Sequence, residues 1–302
     1  MLKWLRLARA EHSAIVLVAV MVAEAIASKR IDASLILPAI GPAVLTAGVF
    51  SLGDWFGWKT DKANKRKDRP IVSGEIKRKD ALTFAAVLYV IGLALSFAFA
   101  PQAFWFVLAY ALLSVTYDPI LKKVPFVGNL FVASTMAASF VYGGLVMAAV
   151  PIATTVPMQP PEYSFVPGGL VFSLEAIPAT LWILAAMAFC AGVGRELLIT
   201  LRDIKGDRKI GAKTLPMILG AKRTVMLASA FIYAAIAISA LPIIYGVGIA
   251  YIALVTFADL LFLFAIFKAV LFPNAETLRD VRNLTLWAMM AGTLAFATLA
   301  FA

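Results

Sequence analysis

Long apolar stretches alternate with short connections along this chain, and nine of them can be marked, at about 12–28, 34–56, 81–100, 103–118, 126–150, 177–200, 223–243, 247–271 and 283–302. Most approach the roughly 20 residues that a helix needs to cross the hydrocarbon core of a bilayer. Strands crossing a membrane would instead show segments of about ten residues with alternating polarity, and no such segments occur. Backbone in lipid must satisfy its own N–H and C=O groups, so the stretches read as helices. The pattern predicts an all-α integral membrane protein with nine transmembrane helices around a central cavity. Polar positions gather in two connections, the one after the second stretch and the one after the sixth.

Composition sharpens this reading. The chain is 62% hydrophobic, well above the 45–50% or so of soluble domains. Its net charge of +10 gains meaning from its placement. Of 27 Lys and Arg, 25 lie in the N-terminal segment or in and beside the connections after the second, fourth, sixth and eighth stretches, and Lys29 and Arg30 fall on the other side. The positive-inside rule then puts the N-terminus and both large charged connections in the cytoplasm and the C-terminus outside. The excess charge is a topology signal, and no nucleic-acid partner is expected. The 151–176 stretch has no Lys or Arg and much Pro, and reads as an outer loop. The N-terminus reads as the start of the first span, without a cleavable signal peptide. The single cysteine, Cys190, excludes an internal disulfide, and the single histidine, His12, excludes a multi-histidine metal site.

The two charged connections share a plan. The first carries Asp54 and Asp61, then cations, then RPIVSG; the second reads RELLITLRDIKGDRKIGAKTLP, with Asp203 and Asp207. Residues seven or four apart share a helix face, so each pair points one way. Four carboxylates in one place repel one another unless cations intervene. Mg2+ suits such a site, because it takes oxygen ligands and usually binds through one or two carboxylates plus substrate phosphates. Lys62, Arg69, Lys122, Arg202, Lys205 and Arg208 are candidates for the remaining phosphate oxygens. A diphosphate head with an apolar tail accounts for the layout. The Lys65-Arg66-Lys67 and Lys77-Arg78-Lys79 runs read more simply as topology or anionic-lipid signals. The likeness of the two connections suggests one domain over 1–302, with approximate halves 1–125 and 126–271 and a final helix at 283–302.

These motifs resemble those of the UbiA superfamily of intramembrane prenyltransferases. The family writes its first motif NDxxDxxxD followed by RPIxSG, where this chain has GDWFGWKTD and then RPIVSG. The second, DxxDxxxD between Arg-Glu and GxKTLP, appears here as RELLITLRDIKGDRKIGAKTLP, and a third element as YDPILKKVPFVGN. The charged runs are most similar to those of archaeal lipid- and quinone-type members. The resemblance implies transfer of a polyprenyl group from an allylic diphosphate, by ionisation of its C–O bond, to an aromatic or lipid acceptor. It implies Mg2+ held by Asp54, Asp61, Asp203 and Asp207, and a catalytic part for these with Lys122 and Tyr117. It also implies substrate contacts at Arg9, Asn64, Arg69, Lys122 and Tyr117, in a multi-pass protein of the cell membrane whose site faces the cytoplasm. Arg195 and Glu196 match the Arg-Glu pair, and His12 sits where Asn is common. Three positions depart from the pattern: Gly53 for Asn, Gly57 for the middle aspartate of the first motif, and Thr200 for the first aspartate of the second.

Two other readings stay in view. A secondary transporter of an anionic solute would place its acids at the bilayer midplane on broken helices, whereas these acids cluster at helix ends. A non-catalytic protein of the same fold would be consistent with the three departures. Glu24 and Asp259 fall inside predicted spans, where a charge is costly and draws attention by default.

Overall fold

The computed structural model describes residues 2–301 apart from 64, 149–173, 210 and 212, together with all side chains in that set except that of Lys205. Asn64 and most of the expected outer loop therefore lie outside the described residues. Each of the nine apolar stretches falls on a helix. After the short α1 (Leu2–Ala8) come α2 (Ala10–Ser28), α3 (Ile36–Ala63), α4 (Arg78–Phe99), α5 (Phe104–Tyr117) and α6 (Val127–Ala148). They are followed by α7 (Ala179–Lys209), α8 (Leu215–Ser239), the one-turn α9 (Leu241–Ile244), α10 (Ile249–Leu271) and α11 (Ala275–Ala297). Among the described residues eight helices are long and apolar enough to cross a membrane. The exception among the nine stretches is 103–118, where α5 has 14 residues and a length of about 21 Å, short of the roughly 30 Å hydrocarbon core.

Local chemistry sets several boundaries. Arg9 adopts a left-handed backbone (φ 46°) and separates α1 from α2. Asn274 caps α11 by accepting hydrogen bonds from the Glu276 and Thr277 N–H groups at 3.1 and 2.9 Å. Pro216 lies in the first turn of α8, where its missing N–H costs no helical bond. Helices α8 and α11 start before their apolar stretches, and α3 and α7 run on past the ends of theirs. The 28 residues of α3 and the 31 of α7 span about 42 and 46 Å. The turns beyond residues 56 and 200 carry Asp61, Asp203 and Asp207, and Asp54 lies just inside the end of its apolar stretch.

The helices close into a ring. α2 packs on α3 and α6, α6 on α7, α7 on α8 and α11, and α11 returns to α2. Helix–helix contact in lipid relies on small residues that let backbones approach. A Cβ on Gly92 of α4 would lie 2.6 Å from the Leu45 backbone N of α3, and one on Gly194 of α7 would lie 2.8 Å from the Ala228 O of α8. Outside the ring, Leu7 of α1 is buried with Ile71, Ile76 and Ala81, backed by Trp4, Trp55 and Trp58. The Arg78 guanidinium stacks over Trp55 and Trp58 at 5.0 and 4.8 Å, and Arg6 pairs with Glu75. This small cluster pins the RPIVSG segment against the end of α3.

The close α3–α4 contact generates a prediction. Gly92→Ala forces the two backbones apart and lowers stability by about 1–3 kcal/mol, read as a lower melting temperature of the detergent-solubilised protein. Gly292→Ala, whose Cβ meets only Met187 Cε at 3.5 Å, leaves the melting temperature unchanged.

Candidate active site

The ring encloses a cavity of about 1240 Å3 that is lined by all four motif aspartates together with Arg9, Arg69, Lys122 and Tyr117. Asp54 is 2% exposed. It accepts a hydrogen bond from Arg9 Nη2 at 2.8 Å, and Arg69 Nη1 lies 3.3 Å from its Oδ1. Arg9 reaches it because the left-handed turn swings the residue off the helix line, while Phe50 supports the guanidinium from below at 4.5 Å. Arg69 Nε stands 4.0 Å from Asp61 Oδ2, so one guanidinium from the RPIVSG segment spans both carboxylates of the first motif. Across the cavity, Asp203 accepts two parallel hydrogen bonds from Arg202 at 2.8 and 2.7 Å. Asp207 is buried and has no hydrogen-bond or ion-pair partner among the described residues.

Burial and charge shape the electrostatics. Asp207 is pushed up to about 6, mainly by burial and further by Asp203, against the pull of Lys122. Lys122 acts on Asp61 as well, so its charge reaches both motifs. Burial, and then the nearby Arg9, pull Arg69 below its ordinary value. Arg66 forms a two-pronged pair with Asp68 at 3.0 and 2.8 Å, and this holds the Asp68 carboxyl at about 2. Arg66 also lines the cavity, and its charge reaches Asp61 and Asp203.

Below the charged mouth the walls are apolar and aromatic. Tyr117 stacks on Phe131 with ring centroids 5.6 Å apart, Phe131 on Tyr110 at 6.4 Å, and Tyr110 meets Phe106 at 5.1 Å. Tyr142 also lines the cavity, but its hydroxyl donates to Pro38 O at 3.0 Å and ties α6 to α3. Asp259 lines the far wall and accepts from Ser239 Oγ at 3.0 Å. Glu24 is fully buried away from the cavity, and neither of its carboxylate oxygens has a partner among the described residues.

The structure brings Arg9, Asp54, Asp61, Arg69, Tyr117, Lys122, Asp203 and Asp207 to this one cavity. Lys62 and Arg208 are exposed and do not line it, so their expected place beside phosphate oxygens is corrected. The topology reading of the Lys65-Arg66-Lys67 run is corrected for Arg66, which turns inward to the site. Asp118 was missed. It lies in the YDPILKK element, its Oδ1 is 3.5 Å from Lys122 Nζ, and its Oδ2 would lie 3.2 Å from a Cβ on Gly53. A carboxylate from α5 thus stands beside the position where the family motif has Asn, and the four-residue spacing to Lys122 was the signal in the sequence. Asn129, also missed, donates to Thr200 Oγ1 at 2.7 Å, so the departure at 200 leaves a hydroxyl engaged in the site. Gly57 faces the cavity, with Asp61 Oδ2 3.9 Å from its added Cβ.

The donor set can be tested against Mg2+. Among the described residues no three carboxylate, cysteine or histidine side chains converge to hold an ion unaided. The carboxylates come instead in two pairs on facing helix ends. That arrangement fits Mg2+ arriving with phosphate oxygens, which it binds alongside one or two carboxylates and waters.

Known proteins share this organisation. A digeranylgeranylglyceryl phosphate synthase of Methanoregula boonei is 33% identical over 278 residues, covering 92% of this chain and 90% of that protein. The corresponding synthase of Thermococcus gammatolerans is 32% identical over 221 residues, covering 73% of this chain and 69% of that protein. The solved structure of a UbiA homologue from Archaeoglobus fulgidus bound to DMAPP and Mg2+ superposes with a TM-score of 0.61 at 16% identity, over 97% of this chain and 99% of that one. The profile of the UbiA prenyltransferase family matches residues 14–289. With both aspartate motifs meeting at the mouth of one helical ring, this chain belongs to the UbiA prenyltransferase family.

Proposed function

We propose that the protein is a Mg2+-dependent prenyltransferase that moves a polyprenyl group from an allylic diphosphate to a hydroxyl of a lipid acceptor. The observation that carries this reading is the joining of two carboxylate pairs, Arg69 and Lys122 in one largely apolar cavity. The names of the relatives support the lipid acceptor, since a digeranylgeranylglyceryl phosphate is a glyceryl phosphate carrying two prenyl groups.

Asp54 and Asp61 on one side and Asp203 and Asp207 on the other would hold Mg2+, which when bound supplies positive charge to the leaving diphosphate. Lys122 and Arg69 bind diphosphate oxygens. Arg69 lines the cavity, and its buried Nε donates no hydrogen bond among the described residues, with Asp68 and Asp61 oxygens only at 3.9 and 4.0 Å. Asp118 positions the Lys122 ammonium. The apolar walls take the prenyl tail and keep water from the reacting carbon. Heterolysis of the allylic C–O bond leaves its electron pair on the diphosphate. The ring faces of Tyr117, Phe131 and Tyr110 stabilise the allylic cation. The acceptor oxygen then bonds to the cationic carbon, and its proton passes to the released diphosphate.

Topology belongs to the same reading. We infer nine spans in one domain, with halves 1–125 and 126–271 and the final helix closing the ring. The N-terminus and the site face the cytoplasm of a cell-membrane protein. The distribution of Lys and Arg supports this orientation.

Purified protein in detergent, given radiolabelled geranylgeranyl diphosphate, Mg2+ and a monoprenylglyceryl phosphate, transfers label to the lipid. Asp54→Ala and Asp207→Ala each lower the rate on the order of 100-fold while their melting curves stay cooperative; unchanged rates in both would refute the assignment. Chelation with EDTA stops transfer, and added Mg2+ restores it. Gly57→Asp adds an oxygen donor beside Asp61 and lowers the Mg2+ concentration giving half-maximal rate; an unchanged requirement would show that position 57 does not face the ion. Lys122→Met raises KM for the prenyl diphosphate by roughly tenfold or more.

A further inference from the structure

The cavity holds more cationic groups than the diphosphate site uses. Arg195 and Arg282 both line it, on α7 and α11, and neither is bonded to a motif aspartate. Arg195 is 5% exposed; its Nη1 donates to Glu196 Oε1 at 3.0 Å, and its Nε has no partner among the described residues. Arg202, the next cation, is held by Asp203 through its Nε and Nη2. The Arg282 guanidinium forms no hydrogen bond or ion pair with any described residue, and its backbone carbonyl accepts from Thr285 Oγ1 at 3.0 Å. Its charge is felt at Arg195, Arg202 and Arg9 as repulsion and at Glu196 as attraction. Glu196 is half-buried and bonded to Arg195, so it is already engaged while the charges of Arg202 and Arg282 also reach it. His12 lies within reach of the same charges, and its Nδ1 is buried without a hydrogen-bond partner among the described residues.

From this group two apolar stripes run down the cavity wall. On α11, Leu286, Met290 and Thr293 follow Arg282 on one face, and on α2, Ile15 and Ala19 follow His12. A cationic pocket at the top of two apolar stripes suits an amphiphile with an anionic head. The cavity volume of about 1240 Å3 exceeds the roughly 300–1,000 Å3 of a site for one small ligand, as a chamber for donor and acceptor together requires.

We propose that Arg195 and Arg282, with His12 beside them, form a second anion subsite that takes the phosphomonoester headgroup of the lipid acceptor. The assignment rests on the prenyl-transfer reading and names the acceptor's chemical class and the residues that select it. A phosphomonoester offers three oxygens and close to two negative charges, which suits two guanidiniums in one chamber of which only Arg195 has a carboxylate partner among the described residues. Seating the head here leaves the glycerol hydroxyl on the apolar side of the subsite, toward the prenyl diphosphate.

The test separates binding from turnover. Equilibrium binding of a radiolabelled monoprenylglyceryl phosphate and of its dephosphorylated alcohol is measured on the full chain in detergent with EDTA and no donor. The wild type prefers the phosphorylated lipid by roughly tenfold or more. Arg282→Gln removes most of that preference, Arg282→Lys keeps part of it, and binding of geranylgeranyl diphosphate with Mg2+ is unchanged in both. The subsite is overturned by equal losses for the two lipids, by parallel weakening of donor binding, by a wild type indifferent to the phosphate, or by tighter binding of an aromatic carboxylate such as hydroxybenzoate. If the phosphate preference depends on Arg282 but no prenyl diphosphate supports transfer, the anion subsite stands and the prenyl-transfer reading falls.

Discussion

Carboxylates taken out of water at the end of an apolar bundle must be matched by cations, and this requirement organises the protein. Asp54 is buried between two guanidiniums that reach it from different segments, Arg9 from the α1–α2 junction and Arg69 from RPIVSG. Removing one partner of such a pair leaves a stranded charge, a larger loss than the pair itself contributes. The cations must therefore be held as firmly as the acids. That is the task of the left-handed turn at Arg9 and of the Trp55–Trp58–Arg78 stack that fixes the RPIVSG segment.

The bundle below answers a second need, a chamber free of water. Helices in lipid gain little from hydrophobic attraction to one another, so they seal by close approach through small residues. Gly92 against Leu45 and Gly194 against Ala228 bring α3 to α4 and α7 to α8. Beyond these contacts α3 and α7 continue to the motif aspartates, which line the chamber. Aromatic rings line the wall nearest that mouth, where an electron-poor carbon gains from their faces.

The departures from the family motifs become intelligible in this frame. Gly53 leaves space that the Asp118 carboxylate approaches, and Thr200 keeps an oxygen bonded to Asn129. Oxygen donors remain at the mouth, although some come from other helices. A reaction that ionises a diphosphate depends on where the oxygens and cations stand, and not on which helix supplies them.

Much of this was legible in the chain. Apolar length marked every long helix to within a few residues at most ends, because the cost of unpaired backbone in lipid leaves little choice of structure. Helical periodicity put Asp54 with Asp61 and Asp203 with Asp207, since both members of each pair ride on one helix. The sequence alone did not reveal which residues meet across helices: Asp118 beside Gly53, Arg66 turned inward from a run that looked like a topology signal, and Arg282 in one chamber with Arg195 across 87 positions of chain. Nor did it show that α3 and α7 continue past their apolar stretches, because charged residues in a helix end resemble those in a loop. A helix face follows from 3.6 residues per turn and is written locally, whereas a pocket depends on how the ring closes. Only the tertiary structure decided which charges share the chamber.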